Sequence, residues 1–226
     1  KYIEDSFRTG LILIKNNFSN KLINGPISKK NFLKKKHLGI TEYLTKKHSI
    51  KKYAMLIYNK RLSVCPITTH LPIKQVTKKI NKKSITDKVN LIDNFYKTKL
   101  NRIPKIAILG LNPHCETVSK FDEDEKIIKP AINYLKKRKI KAYGPYSADT
   151  IFLRENRKKF DVIVGMYHDQ VLTPVKTLFE YDAINITLGL PFTRITPDHG
   201  PNLKMVGKNK SNPLSLIKAL NFLDKN

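Results

Sequence analysis

The chain has 226 residues, of which 40% are hydrophobic and 2 are cysteine, a length that suits one large α/β domain or two small ones. It has no apolar stretch near the roughly 20 residues of a membrane-spanning helix and too few cysteines for a disulfide scaffold, so these classes and disorder are excluded and we expect a cytoplasmic protein. The net charge is +26, but lysines are spread along the chain, which favours a solvated surface that attracts small anions.

Hydrophobic periodicity predicts helices and strands that alternate along the chain. In the first half we expect helices over 2–17, 29–35 and 41–47, strands over 21–24, 53–58 and 62–67, and one or two amphipathic helices over 72–101. In the second half we expect strands over 105–109, 161–166, 183–187 and 192–195, and helices over 122–137 and 213–223. This alternation indicates an α/β fold with a largely parallel sheet.

The start of the chain suggests an incomplete first unit. It begins at Lys1 rather than Met, and the opening helix has no preceding strand on which it would pack. We therefore expect a fragment or a truncated gene product.

Three histidines each follow the carboxyl end of an apolar predicted strand: His70, His114 and His168. Open α/β sheets bind ligands at this edge, and neutral imidazoles are suitable ligands for a catalytic divalent cation. The spacings of 44 and 54 residues do not resemble a zinc finger. The alternative is three unrelated histidines that cap helices or bond to loop carbonyls.

Acidic and basic residues near these strand ends are further candidates. Asp169 directly follows His168, where its carboxylate would orient the imidazole, take a proton or cap a helix. Asp149 is a second acidic candidate, and His199 lies in a turn, either facing a ligand or only forming the turn. Three later residues are candidate donors to a phosphate or carboxylate: Lys176, Asn185 and Arg194.

Six segments together resemble the 4-hydroxythreonine-4-phosphate dehydrogenase family of pyridoxal phosphate biosynthesis. They occur in the order found in that family, and the resemblance runs from about Leu22 to the end of the chain. The segments are TTHLP at 68–72, GLNPH at 110–114, GPYSADT at 144–150, YHDQ at 167–170, NITLGLP at 185–191 and DHG at 198–200.

The resemblance implies an isocitrate/isopropylmalate dehydrogenase-like fold, with two α/β lobes and a largely parallel sheet. The first lobe would be incomplete here, with its remnant at 1–28 and 203–226, and 29–202 would form the metal- and substrate-binding lobe. The resemblance also implies a homodimer with an active site shared across the interface. The spread of the lysines and the lack of a long apolar stretch predict no specific nucleic-acid partner and no membrane.

The implied reaction oxidises 4-phosphooxy-L-threonine with NAD to 2-amino-3-oxo-4-phosphooxybutanoate, which is then decarboxylated to 3-amino-2-oxopropyl phosphate. The resemblance also implies a divalent metal (Zn, Mg or Co) held by His70, His114 and His168, the last reaching into the partner's site. The implied catalytic positions are Asp149, Asp169 and Lys176. The implied substrate-binding positions are Thr41, Lys176, Asn185 and Arg194, and those that seat NAD are His199 and Gly200.

The chain departs from the family pattern at several positions. Ile40 stands where the family often has His, which removes one donor on the phosphate side. Residues 115–119 replace a glycine-rich segment, and Pro201 follows the His-Gly pair in place of a small residue. Three alternatives therefore stay open: a same-fold dehydrogenase of another phosphorylated hydroxy acid, an inactive truncated remnant, and a basic nucleic-acid-binding module.

Overall fold

The computed structural model describes residues 2–28, 32–33, 37 and 39–225. One sheet runs through this part of the chain, with the spatial order β1-β8-β7-β2-β3-β6-β4-β5. Its strands are β1 (Lys21–Ile23), β2 (Ala54–Tyr58), β3 (Ser63–Thr68), β4 (Ile106–Leu109), β5 (Ala142–Tyr146), β6 (Val162–Tyr167), β7 (Ile184–Leu188) and β8 (Thr193–Pro197).

The strand pairing is mixed and mostly parallel. The four strands β3, β6, β4 and β5 run parallel to one another, and β1 runs parallel to β8. β2 is antiparallel to both β3 and β7, and β7 is antiparallel to β8. The predicted α/β class is therefore confirmed.

Helices connect the strands at most of the predicted positions. Short 3-10 turns occur at Thr77–Lys79, Pro113–Cys115 and Leu203–Met205, and a π-helical turn at Asp124–Ile128 leads into α5. The α-helices are α1 (Tyr2–Lys15), α2 (Ile40–Lys47), α3 (Ile73–Val76), α4 (Lys82–Lys99), α5 (Lys129–Lys137), α6 (Ala148–Ile151), α7 (Arg154–Arg157), α8 (His168–Phe179) and α9 (Leu214–Lys225).

Two main elements have no counterpart in the sequence prediction. The edge strand β5 contains Gly144 and Pro145, which obscure a strand pattern, and α8 begins directly after β6 and contains Pro174. The helix expected over 29–35 falls largely outside the described residues.

The core lies on both faces of the sheet. In β4, Ile106 and Ile108 pack into a cluster that includes residues of α4, α5 and α9, whereas Ala107 and Leu109 pack into a second cluster with residues of α8. This alternation arises because successive side chains of a strand point to opposite faces. Burial of each aliphatic side chain contributes about 1.5–3 kcal/mol to the free energy of folding. The sheet is therefore a stable support for the loops at its edges.

The first helix and strand join the same sheet. β1 pairs with β8, and α1 packs on α2 through a smaller apolar cluster. The division into a remnant of the first lobe and a metal- and substrate-binding lobe stays a prediction. Among the helices of the described residues, none is both long and apolar enough to cross a bilayer.

Candidate active site

A cleft of about 540 Å³ is bounded by α2, α8 and the strands β2, β7 and β8. Part of its wall is apolar and includes Ile40, Met55, Ile57 and Leu172. The predicted site residues that line it are Thr41, His70, His168, Lys176, Asn185, Arg194, His199 and Gly200. The structure thus brings these eight side chains or backbone segments to one cavity, while their individual roles stay predictions.

His70 and His168 lie beside each other in the same chain. They follow the carboxyl ends of β3 and β6, which are parallel neighbours, and their ring centroids are 5.8 Å apart. His168 Nδ1 lies 2.6 Å from a carboxylate oxygen of Asp169, and His70 Nδ1 lies 3.4 Å from Glu42 Oε1. Each imidazole therefore has a carboxylate at one ring nitrogen, as metal-ligating histidines commonly do.

Glu42 is a site residue that the sequence analysis did not identify. Its Oε1 accepts a hydrogen bond from Thr69 Oγ1 at 2.7 Å, and its Oε2 is buried and has no hydrogen-bond partner among the described residues. Burial alone would raise its pKa, but hydrogen bonds from His70 and Thr69 lower the pKa to about 2. Glu42 is therefore a carboxylate at neutral pH. The sequence signal that could have identified it is a carboxylate in the first turn of α2, three residues after Gly39.

Arg194 is a nearly buried cation, with 2% of its surface exposed. Its guanidinium donates to Asn24 Oδ1 at 2.8 Å, Thr187 Oγ1 at 2.8 Å and Thr41 Oγ1 at 3.4 Å. Burial lowers its pKa to about 10, and the charge of Glu42 acts in the opposite direction. Arg194 stays charged at neutral pH although, within the described part of the chain, it forms no ion pair with a carboxylate. It is thus a preformed anion-binding group.

Lys176 and Asp198 form an ion pair at the cleft. Lys176 Nζ lies 2.7 Å from Asp198 Oδ2 and also donates to the backbone oxygen of Asp198. The backbone N–H of Asp198 donates to Ser215 Oγ at 2.8 Å, which joins the end of β8 to α9. Burial raises the pKa of Asp198, while the nearby ammonium of Lys176 opposes this rise. Asp198 belongs to the DHG segment but is not one of the predicted site residues.

Two further cleft residues offer groups to a ligand. Asn185 Oδ1 is buried and accepts no hydrogen bond from the residues that the structure describes. His199 lies at the rim, with Nδ1 3.0 Å from the carbonyl oxygen of Gly200 and its ring 6.3 Å from that of Tyr181. A bound molecule with an N–H or O–H group would satisfy Asn185.

His114 and Asp149 do not line the cleft. Both side chains are exposed, and His114 and Cys115 adopt positive φ angles of 56° and 63°. Across the described part of the chain, no three or more His, Cys, Asp and Glu side chains are grouped so as to hold a metal ion. The three histidines are therefore not grouped within the described part of one chain. The reason is the course of the loop after β4, which carries His114 outward. The resemblance implies a site shared between two copies, and that site stays a prediction.

The loop that carries His114 is nevertheless firmly held. Asp124 is fully buried and accepts hydrogen bonds from the backbone and side-chain nitrogens of Asn112 at 3.1 and 3.0 Å. Gln170 Nε2 donates to the carbonyl oxygen of Gly110 at 2.8 Å and so joins the ends of β4 and β6. Sequence reasoning missed both supports, because only the fold brings Asp124 and Gln170 to this loop.

Comparisons with known proteins identify the family. The family model described as pyridoxal phosphate biosynthetic protein PdxA matches residues 1–223. A 4-hydroxythreonine-4-phosphate dehydrogenase from Sulfurihydrogenibium sp. (strain YO3AOP1) is 45% identical over 203 residues, which are 88% of this chain and 62% of that protein. A D-threonate 4-phosphate dehydrogenase from Pectobacterium atrosepticum is 34% identical over 202 residues, again 88% of this chain and 62% of the relative. The chain thus spans 62% of the length of each relative.

Solved structures agree with this result. The crystal structure of a 4-hydroxythreonine-4-phosphate dehydrogenase from Klebsiella pneumoniae matches with a TM-score of 0.80 and 30% identity, covering 95% of this chain and 68% of that one. An isocitrate dehydrogenase from Methylococcus capsulatus matches with a TM-score of 0.60 and 12% identity, covering 96% and 70%, and so shares the fold alone. The chain belongs to the family of the pyridoxal phosphate biosynthetic protein PdxA.

Proposed function

We propose that the chain binds 4-phosphooxy-L-threonine in its cleft and contributes to NAD-dependent oxidation of this substrate. Hydride would pass from the carbinol carbon to NAD, and the hydroxyl proton would be released. The product, 2-amino-3-oxo-4-phosphooxybutanoate, would then lose carbon dioxide to give 3-amino-2-oxopropyl phosphate. The observation that carries this proposal is a buried Arg194 in the cleft that also contains His70 and His168. Among the residues that the structure describes, this arginine contacts no carboxylate.

Arg194 is the group that we assign to the substrate phosphate or carboxylate. An uncompensated buried charge costs several kcal/mol, and part of this cost is recovered when an anion binds beside it. The hydroxyl groups of Thr41 and Thr187 already contact the guanidinium, so they fix its plane for a two-pronged contact. Asn185 Oδ1 would accept a hydrogen bond from the amino or hydroxyl group of the substrate.

A divalent cation such as zinc, magnesium or cobalt fits the donors at this end of the cleft. His70 and His168 offer two imidazoles, each already held through Nδ1 by a carboxylate. We assign the third ligand to His114 of a second copy of the chain, because His114 is exposed and lies outside the cleft. This differs from the resemblance-based expectation, in which His168 reaches across, since His168 lies beside His70 of its own chain.

When bound, such a cation supplies Lewis acidity that favours ionisation of the substrate alcohol and polarises the resulting ketone. Lys176 holds a proton at Nζ next to Asp198, and we assign it as the donor to the carbon from which carbon dioxide departs. Asp169 keeps His168 oriented through Nδ1. Asp149 lies in the first turn of α6, which follows β5, and its charge acts on Cys115 in the loop after β4. We place its role at the interface with the second copy.

The cofactor would lie at the rim of the cleft. His199 and Gly200 are both at this rim, and we propose that NAD contacts this turn. The nicotinamide would then lie toward the carbinol carbon that Arg194 and Lys176 position. Homodimers with a shared site would follow from the assignment of His114 to a second copy.

A second candidate substrate is a phosphorylated hydroxy acid such as D-threonate 4-phosphate. Two observations favour testing it: a relative of that name is 34% identical to this chain, and Ile40 makes part of the cleft wall apolar. The two substrates differ in whether an ammonium or a hydroxyl group would face Asn185. Comparing kcat/KM for the two compounds decides between them.

The test combines substrate binding with turnover. Calorimetry of the chain with 4-phosphooxy-L-threonine, and NADH formation with a divalent cation supplied, should both give a signal. Arg194→Met should abolish both, whereas the exposed Arg138→Met should change neither. Absence of binding to either phosphorylated compound would contradict the proposal, and tight binding of nucleic acid at physiological salt would favour the basic-module alternative.

A further inference from the structure

Glu42 lies beside His70, one of the two cleft histidines. It occupies the first turn of α2, where a carboxylate is favoured by the helix dipole, yet the first residue before the helix has no side-chain cap. Its side chain is 13% exposed and turns toward His70 and Thr69. The carboxylate thus bonds to the cleft histidine and to Thr69, in addition to the backbone of the first turn of α2.

The contacts at the carboxylate fix the orientation of the imidazole. Thr69 Oγ1 donates to Glu42 Oε1 at 2.7 Å, and His70 Nδ1 lies 3.4 Å from the same oxygen. A carboxylate can only accept at this distance, so the shared proton belongs on His70 Nδ1. With Nδ1 protonated, the lone pair of the neutral ring is on Nε2, which is the form that a divalent cation needs.

Gly39 provides the space for this arrangement. A Cβ atom at position 39 would lie 2.7 Å from Glu42 Oε2, 2.7 Å from His70 Cε1 and 2.9 Å from His70 Nδ1. Real Cβ atoms do not approach other atoms so closely, so a side chain at position 39 would have to displace the Glu42 carboxylate or the His70 ring. The φ angle of Gly39 is −160°, an extended value that other residues adopt, so the requirement for glycine is one of space at the pair.

We propose that Glu42 is a positioning residue that holds His70 with its proton on Nδ1, so that Nε2 is the atom presented to a divalent cation. This inference deepens the proposed function, on which its cation-binding part rests. The tautomer of His70 in the metal-free protein is independent of that function. The two can therefore be tested separately.

The first readout is the tautomer of His70 in the metal-free chain, measured by long-range proton–nitrogen correlation and assigned with His70→Ala. The wild-type ring should carry its proton on Nδ1. Glu42→Met, which removes the acceptor at similar length, should shift the ring toward the Nε2-protonated form. An unchanged Nδ1-protonated ring in Glu42→Met would overturn the proposal.

The second readout is the affinity for cobalt, followed by visible absorption. Glu42→Met should weaken it by about 10- to 100-fold, as loss of such a partner typically does. Asp93→Asn is the matched control, because Asp93 is also a buried carboxylate with an unpartnered oxygen but pairs with Lys97 of its own helix instead of a cleft histidine. Equal losses of affinity in Glu42→Met and Asp93→Asn would overturn the positioning role.

Gly39→Ala is a second variant in case Glu42→Met does not fold. Its methyl group should separate Glu42 from His70 and should produce the same tautomer shift while the carboxylate is retained. An Nδ1-protonated ring in Gly39→Ala would count against the proposal. If the wild-type chain binds no cobalt, the proposed metal centre fails, whereas the tautomer measurement still supports or overturns the role of Glu42.

Discussion

Arg194 is the residue whose surroundings say most about the ligand. Its guanidinium is almost completely buried, and its partners are the neutral groups of Asn24, Thr41 and Thr187. In most proteins such a cation is paired with a carboxylate, because an isolated buried charge is costly. Among the described residues no carboxylate contacts the guanidinium, which supports the proposal that a bound phosphate or carboxylate supplies the opposite charge.

Replacing Arg194 with Lys keeps the charge but removes the planar fork that contacts Thr187 and Asn24. We expect the dissociation constant for 4-phosphooxy-L-threonine to rise at least ~10-fold, or about 1.4 kcal/mol. Calorimetry of both proteins measures this difference. Arg138→Lys, a change at an exposed arginine, serves as the control. Equal affinities in Arg194→Lys and wild type would show that the fork does not bind the anion.

The site residues were predicted unevenly from the sequence. His70 and His168 were found because the ends of neighbouring parallel strands meet at one edge. Arg194 was found because a guanidinium on a strand is a suitable donor to a phosphate or carboxylate. Glu42 was missed because its role depends on a contact between α2 and the loop after β3. The outward course of the loop that carries His114 depends on two successive positive φ angles at non-glycine residues, which no sequence pattern signalled.

Cys65 gives a prediction for the pH dependence of stability. Burial raises the pKa of its thiol from 9.0 to about 11, although Lys88 opposes this. The unfolded chain forms the thiolate at lower pH than the folded chain does. The buried thiol therefore makes its full contribution to the free energy of unfolding below the pKa of the unfolded chain, and this contribution is lost as the pH rises through the pKa of the folded chain. Between about pH 8 and about pH 10.5, the urea midpoint of wild type should fall more steeply than that of Cys65→Ala. Parallel slopes in the two proteins would contradict this assignment.

The elements show where pattern reading succeeds and where it fails. The central strands β3, β4 and β6 were predicted because they are continuous apolar runs, as buried parallel strands are. β5 was missed because Gly144 and Pro145 interrupt it, and an edge strand tolerates both residues. α8 was missed because it begins without a loop after β6 and because Pro174 reads as a helix breaker.

The start of α4 supplies a prediction about an element. Asn81 accepts a hydrogen bond from the backbone N–H of Ser84, whose side chain accepts one from the backbone N–H of Asn81. Asn81→Ala removes half of this capping box and should lower the free energy of unfolding by about 1 kcal/mol. Urea denaturation measures the change, with Asn94→Ala, inside the same helix, as the control. A loss no larger than that of Asn94→Ala would mean that the cap does not stabilise α4.

At the scale of the whole molecule, the order of the strands determines where the candidate metal ligands lie. The order β3-β6-β4-β5 puts the segments that carry His70, His168, His114 and Asp149 side by side along one edge of the sheet. The first two histidines face the same cleft, whereas His114 and Asp149 are exposed beyond it. This arrangement supports the proposal that His114 of one copy completes the cation site of a second copy. Mixing variants of the three histidines therefore tests which chain supplies each ligand.

Mixing inactive variants tests this central claim most directly. Each variant alone should lack cation binding and NADH formation. If one chain supplies His70 and His168 and the other supplies His114, heterodimers of His70→Ala and His114→Ala contain one intact centre. Random exchange should then restore about a quarter of the wild-type cobalt sites and activity. The pair His70→Ala and His168→Ala should restore no cobalt sites and no activity. Recovery in this second pair would contradict the account, and so would a lack of recovery in the first pair.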